Sequence, residues 1–359
     1  MQPSAHLLQA LTTLTAAAAN NSDISVSLSP GEWETLFSMA CQQNVAALVC
    51  DVFTHCNTNL PLATKLKFIT AQNATIGKFN HACSTLSQML ALFNSHGINT
   101  MLLKGITLAR LYPKPNLRSF GDIDFYQYGR WREADALMVK HHGVKVSTQT
   151  HHHSKYAFNN ILIENHYDFI NRYGARGNMS FERLLKTEAN RTHIPFVLDG
   201  QACFLPPPTF SALFYLRHMA AHFAADRITL RHLLDWTFFC RSYSHDVDWQ
   251  YVVSVARQYG FLPFAACLEE LCHLYFQHQT CMGLPSDKAL AERAMHEILV
   301  GEFSLPEPSA RHFFKRISFK WRRRIANRWK RKLCTNTPWA IDIFYDLFAK
   351  ILKPHTILH

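Results

Sequence analysis

Paired cysteines and long apolar runs are missing from this sequence of 359 residues. Its ten cysteines are scattered singly and form no Cys-x-x-Cys pair, which argues against a zinc ribbon and is typical of reduced thiols in the cytoplasm. The first residues, Met1 to His6, do not form a basic region followed by an apolar run, and no stretch is apolar enough to span a bilayer. We therefore expect a cytoplasmic protein without a signal peptide or a membrane-spanning helix.

Acids are absent from one long segment, and that absence explains the net charge of +11. Eleven lysines and arginines lie between Arg311 and Lys332, so this segment accounts for the whole excess. Aromatic residues are interspersed among the basic ones. We therefore expect residues 311–332 to meet an anionic surface at the periphery of the inner membrane, or nucleic acid. A helix that packs on the protein body and turns its charges to water is the alternative. The apolar residues from Trp339 to Leu352 predict a further helix.

Helical and strand-like patterns divide the chain into four parts. Apolar residues at helical spacing fill residues 1–97 and include one long helix from Ala63 to His96. Strand-like runs follow over residues 98–205 and end before three consecutive prolines. Residues 206–305 are again helical, and residues 306–359 form a basic and aromatic tail. The predicted fold is α/β (α+β), with a small mixed sheet between N-terminal and C-terminal helical regions.

The stretch Gly121-Asp122-Ile123-Asp124-Phe125 carries the strongest chemical signal. Alternate residues of a strand point to the same side, so Asp122 and Asp124 would project two carboxylates into one space. Such a pair is costly unless a cation lies between the charges, and hard oxygen ligands suit Mg²⁺ or Mn²⁺. A surface strand with two solvated acids is the alternative, which the apolar Ile123 and Phe125 on the opposite face disfavour.

A third acid, Glu164, lies in a second strand-like run over residues 161–167. Three carboxylates on adjacent strands can hold two metal ions for displacement at phosphorus, so Asp122, Asp124 and Glu164 are the predicted catalytic and metal-binding residues. We expect Glu164 to hold a metal or to accept the proton of an attacking hydroxyl. An exposed strand acid is the alternative. His166 shares the face of Glu164, and an ordinary hydrogen-bonded histidine explains it equally well.

Residues before the first acid predict a phosphate site. Lys104 and Gly105 precede a short predicted helix, and a glycine at such a turn lets backbone N–H groups approach a phosphate. Thr107 offers a hydroxyl. The guanidinium of Arg118 suits bidentate contact with a triphosphate, or alternatively a salt bridge to one of the acids. The predicted nucleotide-binding residues are Lys104, Gly105, Thr107, Arg118 and Gly121, and a plain loop at Lys104-Gly105 is the alternative.

Two groups of histidines invite a metal interpretation. His151, His152 and His153 are adjacent, and adjacent strand residues point to opposite faces, so we expect a structural or substrate-facing role. His218 and His222 lie four residues apart on one helix face, but no glutamate follows His218 as it does in zinc proteases. We expect core packing for this pair, with a place beside the cleft as the alternative.

Taken together, these segments resemble the uncharacterised bacterial nucleotidyltransferase family of the polymerase-beta superfamily. The shared elements in chain order are Lys104-Gly105, Tyr112-Pro113, Arg118, Gly121-Asp122-Ile123-Asp124, Glu164-Asn165-His166, the paired His218 and His222, and Leu234-Asp235. The single glycine after Lys104 departs from the Gly-Ser or Gly-Gly of the broader superfamily. The resemblance implies a polymerase-beta-like core, and it leaves the cellular substrate open.

We therefore predict a nucleotidyltransferase that depends on Mg²⁺ or Mn²⁺. An NTP is the expected donor, its NMP moves to an acceptor hydroxyl, and pyrophosphate leaves. The acceptor is a sugar, a small molecule, a protein or RNA. Two other functions stay open: a non-catalytic nucleotide-binding or membrane-recruited interaction protein, and an enzyme that modifies nucleic-acid ends.

Overall fold

The computed structural model describes residues 3–54, 56–148, 152–172, 177–301 and 313–338, together with Ile341. Apart from Ile341, the helix predicted from Trp339 to Leu352 lies outside the described residues, as does His151. Within these ranges, no helix combines the length and the apolar composition needed to cross a bilayer.

Helices dominate the chain before the main sheet. The elements are α1 (Ala5–Asn20), β1 (Ser25–Val26), α2 (Pro30–Gln42), α3 (Ala46–Val52), β2 (Asn57–Thr58) and α4 (Leu62–Ser95). A capping box begins α2, because Ser29 and Glu32 accept each other's backbone N–H groups. The long helix predicted from the apolar pattern is confirmed by α4. Gly97 follows it in the left-handed conformation (φ 65°) that allows the chain to turn into the sheet.

A six-stranded mixed sheet forms the centre of the fold. Its strands are β3 (Met101–Leu102), β4 (Ile123–Tyr126), β5 (His153–Phe158), β6 (Ile161–His166), β7 (Ile194–Leu198) and β8 (Gln201–Leu205). They lie in the order β5-β6-β4-β3-β8-β7, with β4–β6 and β3–β8 parallel and the other pairs antiparallel. The intervening helices are α5 (Ile106–Ala109), a 3-10 turn (Pro115–Leu117), α6 (Trp131–His142) and α7 (Asn178–Ala189). This mixed sheet with helical regions before and after it confirms the predicted fold class.

Two details of the sheet differ from the sequence pattern. The alternation at Val144-Lys145-Val146 predicts a strand, but these residues form none, and only Ser147 makes an isolated bridge to Lys155. The β7–β8 hairpin has no counterpart among the predicted strands. Its turn residues Asp199 and Gly200 have φ values of 46° and 80°, as a type I′ hairpin turn requires.

The C-terminal helices share a core with the N-terminal ones. They are α8 (Pro208–Ala225), α9 (Leu230–Tyr243), α10 (Trp249–Tyr259), α11 (Leu262–Phe276), α12 (Lys288–Leu299), α13 (Phe313–Ala326) and α14 (Arg328–Cys334). Trp33 of α2 lies in the same buried cluster as Phe214 of α8 and Trp236 of α9. A second cluster contains Phe93 of α4 and Phe125 of β4. Since Phe125 faces this second cluster, strand alternation turns its neighbour Asp124 to the other side of the sheet.

The basic segment is divided between two helices, and α14 packs on the protein body. Lys330 is buried and contacts the Glu297 carboxylate. Trp329 packs edge-on against Phe223 with ring centroids 5.8 Å apart, and the Asn327 amide donates to a carbonyl of α8. For α14 the packed-helix alternative therefore applies. Binding to a membrane or to nucleic acid stays a prediction, and it now rests on α13.

Candidate active site

A cleft of about 470 Å³ brings the sheet together with α8 and α9. Of the predicted site residues, all except Thr107 line it. The lining residues discussed below are Lys104, Gly105, Arg118, Gly121, Asp122, Asp124, His152, His153, Lys155, Glu164, Tyr215, His218, His222, Arg231, Asp235 and Trp236. One cleft therefore collects residues that lie as far apart in sequence as 104 and 236.

The three predicted acids meet in this cleft. Strands β4 and β6 pair in parallel with Asp124 opposite Glu164. Asp122 directly precedes β4, and alternation puts it on the same side as Asp124. One carboxylate oxygen from each of the three acids lies within 4.8 Å of the others. A divalent cation could contact all three acids at once.

Asp124 combines two hydrogen-bonding neighbours, Lys104 and His166, with one unused oxygen. Its Oδ1 lies 2.9 Å from Lys104 Nζ and 3.1 Å from His166 Nε2. Its Oδ2 is buried and has no hydrogen-bond partner in the described part of the chain. Burial acts to raise the pKa of Asp124, but Lys104 and His166 outweigh burial and hold this pKa well below its usual range. The site therefore presents a charged carboxylate with a vacant oxygen, which is the donor that Mg²⁺ or Mn²⁺ prefers.

Glu164 has a different environment from Asp124. Its Oε1 lies 2.7 Å from Lys155 Nζ and 3.5 Å from His153 Nε2, and the residue is buried. Burial and the nearby charge of Asp124 raise the pKa of Glu164, although Lys155 opposes them. Glu164 is thus a carboxyl group with increased proton affinity, and the exposed-acid alternative does not apply.

Lys104 and Gly105 lie at the entrance to α5. Burial acts to lower the pKa of Lys104, but Asp124 and Asp122 outweigh it and raise this pKa, so the ammonium stays charged. Gly105 has φ 63°, and a Cβ atom there would lie 3.1 Å from the Phe120 ring, so a larger residue would be strained. This turn is more constrained than the plain loop of the alternative.

Thr107 does not fulfil its predicted role. Its hydroxyl donates to the carbonyl of Leu103, four residues earlier, at 3.2 Å, and the side chain is buried outside the cleft. A threonine in the first turn of a helix commonly bonds a preceding carbonyl in this way, which removes the hydroxyl from contact with a nucleotide.

Arg118 binds a different acid from the ones expected. Its Nε and Nη2 lie 2.7 and 2.8 Å from the two carboxylate oxygens of Asp235 on α9, and Tyr112 donates to the same carboxylate at 2.7 Å. Burial acts to lower the pKa of Arg118, but the Asp235 carboxylate outweighs burial and raises this pKa. Arg118 is only 2% exposed. The Nε–Nη2 edge of the guanidinium is therefore engaged in a buried ion pair that fastens α9 to the core. The bidentate contact with a triphosphate stays a prediction, and in this structure Asp235 occupies one edge that it could use.

The histidine pair on α8 lies beside the cleft. His218 and His222 have ring centroids 4.4 Å apart, and both residues line the cleft. Burial, assisted by the charge of Lys104, lowers the pKa of both rings, so they are neutral at pH 7. His152 and His153 also line the cleft, which agrees with a substrate-facing role for that group.

Several cleft residues have no role in the sequence-based prediction, and Lys155 is the most important of them. It stands opposite Glu164 in the β5–β6 register and two residues after His153. Strand alternation places Lys155 and His153 on one face. The sequence could therefore have indicated a contact between Lys155 and Glu164, but only with knowledge that β5 pairs with β6. For Arg231, Tyr215 and Trp236 the sequence carries no comparable signal.

The family model for an uncharacterised nucleotidyltransferase matches residues 29–277. The chain belongs to this uncharacterised nucleotidyltransferase family. No curated protein matches the chain. Among solved structures, it is similar to the crystal structure of an antigenic nucleotidyltransferase-like protein from Paracoccidioides brasiliensis, with 12% identity, 50% of this chain and 88% of that chain covered, and a TM-score of 0.33.

Proposed function

We propose that the protein is a Mg²⁺-dependent nucleotidyltransferase that moves an NMP from an NTP to an acceptor hydroxyl and releases pyrophosphate. The observation that carries this proposal is the convergence of Asp122, Asp124 and Glu164 within 4.8 Å, with one buried carboxylate oxygen that no described residue contacts by a hydrogen bond. Membership of a nucleotidyltransferase family supports it. A bacterial origin and a place in the polymerase-beta superfamily belong to the same proposal.

The three acids would hold the divalent ion, Mg²⁺ or Mn²⁺. When bound, such an ion stabilises the charge of the transferring phosphoryl group and favours ionisation of the attacking hydroxyl. The donor set fits this ion because all three ligands are hard carboxylate oxygens.

Lys104 would bind the phosphates of the NTP. Its ammonium lies in the cleft, and in the structure it neutralises Asp124 at 2.9 Å. A short displacement would let it contact an anionic oxygen of the donor while staying near the acids. A fixed cation in a cleft of this kind stabilises the charge that develops on the phosphates. Gly105 and Gly121 leave space for the donor beside it.

Glu164 would take the proton of the acceptor hydroxyl. Its raised pKa gives it proton affinity, and the ion pair with Lys155 fixes the orientation of its Oε1. The second oxygen, Oε2, lies 3.8 Å from His166 and is the one available to the substrate. The proton of the hydroxyl would thus pass to Glu164 while the oxygen attacks the α-phosphorus.

Transfer of label from each α-labelled NTP, with Mg²⁺ and with small-molecule, protein and RNA acceptor fractions, tests the proposal. We expect incorporation with wild type, none with Asp124→Asn, and unchanged incorporation with Asp199→Asn, which alters an exposed turn aspartate. Equal incorporation by Asp124→Asn would contradict the site assignment.

A non-catalytic nucleotide-binding protein is the second candidate. It is favoured by the fact that the Lys104 ammonium already neutralises Asp124. Calorimetry separates the two functions: NTP binding without transfer to any acceptor fraction would support the second candidate, and absence of NTP binding would contradict both.

A further inference from the structure

Two of the scattered cysteines and a histidine meet among the C-terminal helices. Cys240 lies on α9, and His278 and Cys281 lie in the segment after α11. One sulfur or ring nitrogen from each lies within 4.8 Å of the others, and Cys281 Sγ is 3.9 Å from His278 Nε2. This cluster shares no residue with the cleft.

The chain reverses sharply to bring His278 and Cys281 back to α9. Gln277 ends α11 in a left-handed conformation (φ 54°), and the N–H groups of Gln277 and His278 both donate to the carbonyl of Cys272. The Glu269 carboxylate then accepts the N–H group of Cys281 at 3.0 Å. These bonds fix the backbone on both sides of the two side chains, so the cluster is held by its surroundings.

Burial distinguishes this cluster from a chance surface encounter. Cys240 is 0% exposed and His278 is 2% exposed, whereas Cys281 is half-buried and leaves a route to solvent. His278 Nδ1 has no hydrogen-bond partner among the residues that the structure describes. A buried imidazole normally has hydrogen-bond partners on its ring nitrogens, and the side-chain contact of this ring is with the Cys281 sulfur.

We propose that Cys240, His278 and Cys281 bind one Zn²⁺ ion, with the fourth position open to water. Thiolate and imidazole are the ligands that Zn²⁺ prefers. With Zn–S of about 2.3 Å and Zn–N of about 2.0 Å, tetrahedral geometry puts neighbouring ligand atoms ~3.5–3.8 Å apart. The observed 3.9 Å between Cys281 and His278 is close to this spacing.

Charge balance also suits Zn²⁺. Two thiolates neutralise the ion, and the protons of the thiols pass to water as it binds.

The site would fasten α9 to the segment that follows α11. Cys240 lies five residues after Asp235, the residue that anchors Arg118, on the same helix. His278 and Cys281 lie just beyond the family match, which ends at residue 277. The zinc site shares no lining residue with the cleft, and the proposal does not rest on the proposed transfer activity.

Cobalt substitution of the full-length protein tests this site, because a thiolate bound to Co²⁺ gives a charge-transfer band that carboxylates do not give. The protein is reduced, treated with a chelator, freed of it and titrated with Co²⁺ and then Zn²⁺. We expect one Co²⁺ with a sulfur band and tetrahedral d–d absorption, displaced by one Zn²⁺. Cys281→Ser and His278→Gln should weaken binding by at least about 100-fold, since even outer-shell changes cost 10–100-fold.

Cys83→Ser is the matched control, because Cys83 is also half-buried and lies far away in the sequence. It should keep the sulfur band, and Zn²⁺ should raise its melting temperature as it does for wild type but not for Cys281→Ser. Asp122→Asn combined with Asp124→Asn should also keep the band. Three results would each overturn the proposal. They are the absence of the sulfur band in wild type, its survival in Cys281→Ser, and a Cys240–Cys281 disulfide that persists after treatment with the reductant.

Discussion

Asp124 and Glu164, two of the buried carboxylates of the cleft, have pKa values shifted in opposite directions because their partners differ. Asp124 faces Lys104 and His166, which depress its pKa, whereas burial and Asp124 itself raise the pKa of Glu164. Neighbouring acids whose pKa values are pushed apart commonly divide their work, one staying ionised and the other moving a proton. At the scale of single residues, this difference is what the proposed function assigns to Glu164, which would move a proton besides holding the ion.

Lys155 should set the pH at which Glu164 becomes a base. Lys155 lowers the pKa of Glu164, so Lys155→Met should raise that pKa further and move the acidic limb of the kcat/KM profile to higher pH. Lys155→Arg keeps the charge and should leave the limb nearly in place. Profiles of label transfer measure the shift, and identical limbs for wild type and Lys155→Met would exclude Glu164 as the base.

Asp124→Asn should also change stability, in a way that depends on pH. The depressed pKa means that Asp124 stabilises the fold above its unfolded pKa of about 3.9, and that this contribution is lost as the pH falls through the folded value. At pH 7 the variant removes from the half-buried Lys104 its nearest carboxylate and leaves only Asp122 and Glu164 nearby, at a cost of up to about 3–5 kcal/mol. Urea unfolding at pH 7 and pH 3 should show a large difference from wild type at pH 7 and a smaller one at pH 3. A difference that grows as the pH falls would contradict this sign.

Individual helices are attached to the fold by buried ion pairs. Asp235 of α9 binds Arg118, and Lys330 of α14 binds Glu297 of α12. Breaking one half of such a pair leaves an uncompensated buried charge. The position of α9, which also forms one wall of the cleft, therefore depends on residues far from it in sequence.

Arg118→Ala should destabilise the protein by up to about 3–5 kcal/mol, because the buried Asp235 loses its bidentate partner and keeps only the more distant Arg231, at 3.5 Å, as a cation. Arg118→Lys should recover only part of this loss, since a point charge cannot replace the fork. Asp235→Ala should cost a similar amount, and the double variant less than the sum of the two. If Arg118→Ala unfolded at the same guanidinium chloride concentration as wild type but bound NTP more weakly, this result would instead support the nucleotide contact predicted from the sequence.

Lys330→Ala should detach α14 from the body. The buried Glu297 loses the Lys330 ammonium, and a free energy of unfolding lower by up to about 3–5 kcal/mol is expected. Lys332→Ala, on an exposed part of the same helix, should stay within about 0.5 kcal/mol of wild type. Equal effects of the two changes on denaturant unfolding would mean that α14 does not depend on this pair.

Over the whole molecule, the excess of basic residues is concentrated in α13 and α14. Because α14 packs on α8, the exposed charges of α13 lie next to the body instead of on a distant tail. Lys315 and Arg322 of α13 are exposed. An anionic surface that meets these residues would therefore also approach the body of the protein.

Lys315→Gln combined with Arg322→Gln should weaken association with anionic vesicles in a flotation assay. The binding of wild type to the vesicles should fall with added salt, since exposed charges are screened over about 10 Å at 0.1 M. Lys65→Gln with Lys78→Gln, two exposed positions on α4, removes the same charge and should leave vesicle binding unchanged. An equal loss in both double variants would mean that net charge, and not α13, is responsible.

Local patterns in the sequence predict the parts of the site that depend on neighbouring residues. The period of apolar residues predicts α4, and strand alternation predicts that Asp122 and Asp124 share a side. Placing Glu164 opposite Asp124 needs only that two strand-like runs pair in parallel. The β7–β8 hairpin was predictable too, because an Asp-Gly pair between alternating residues favours a type I′ turn.

Tertiary structure alone decides which distant side chains become partners. Arg118 and Asp235 are 117 residues apart, and Cys240 and Cys281 belong to different elements, so no spacing links them. Thr107 turns to the Leu103 carbonyl because α5 begins at Ile106, one residue before it. The sequence by itself determined the chemistry and the side on which each acid projects, since both follow from residue type and backbone period. Partners, burial and pKa depend on how helices and sheet pack, and this packing is a property of the whole chain.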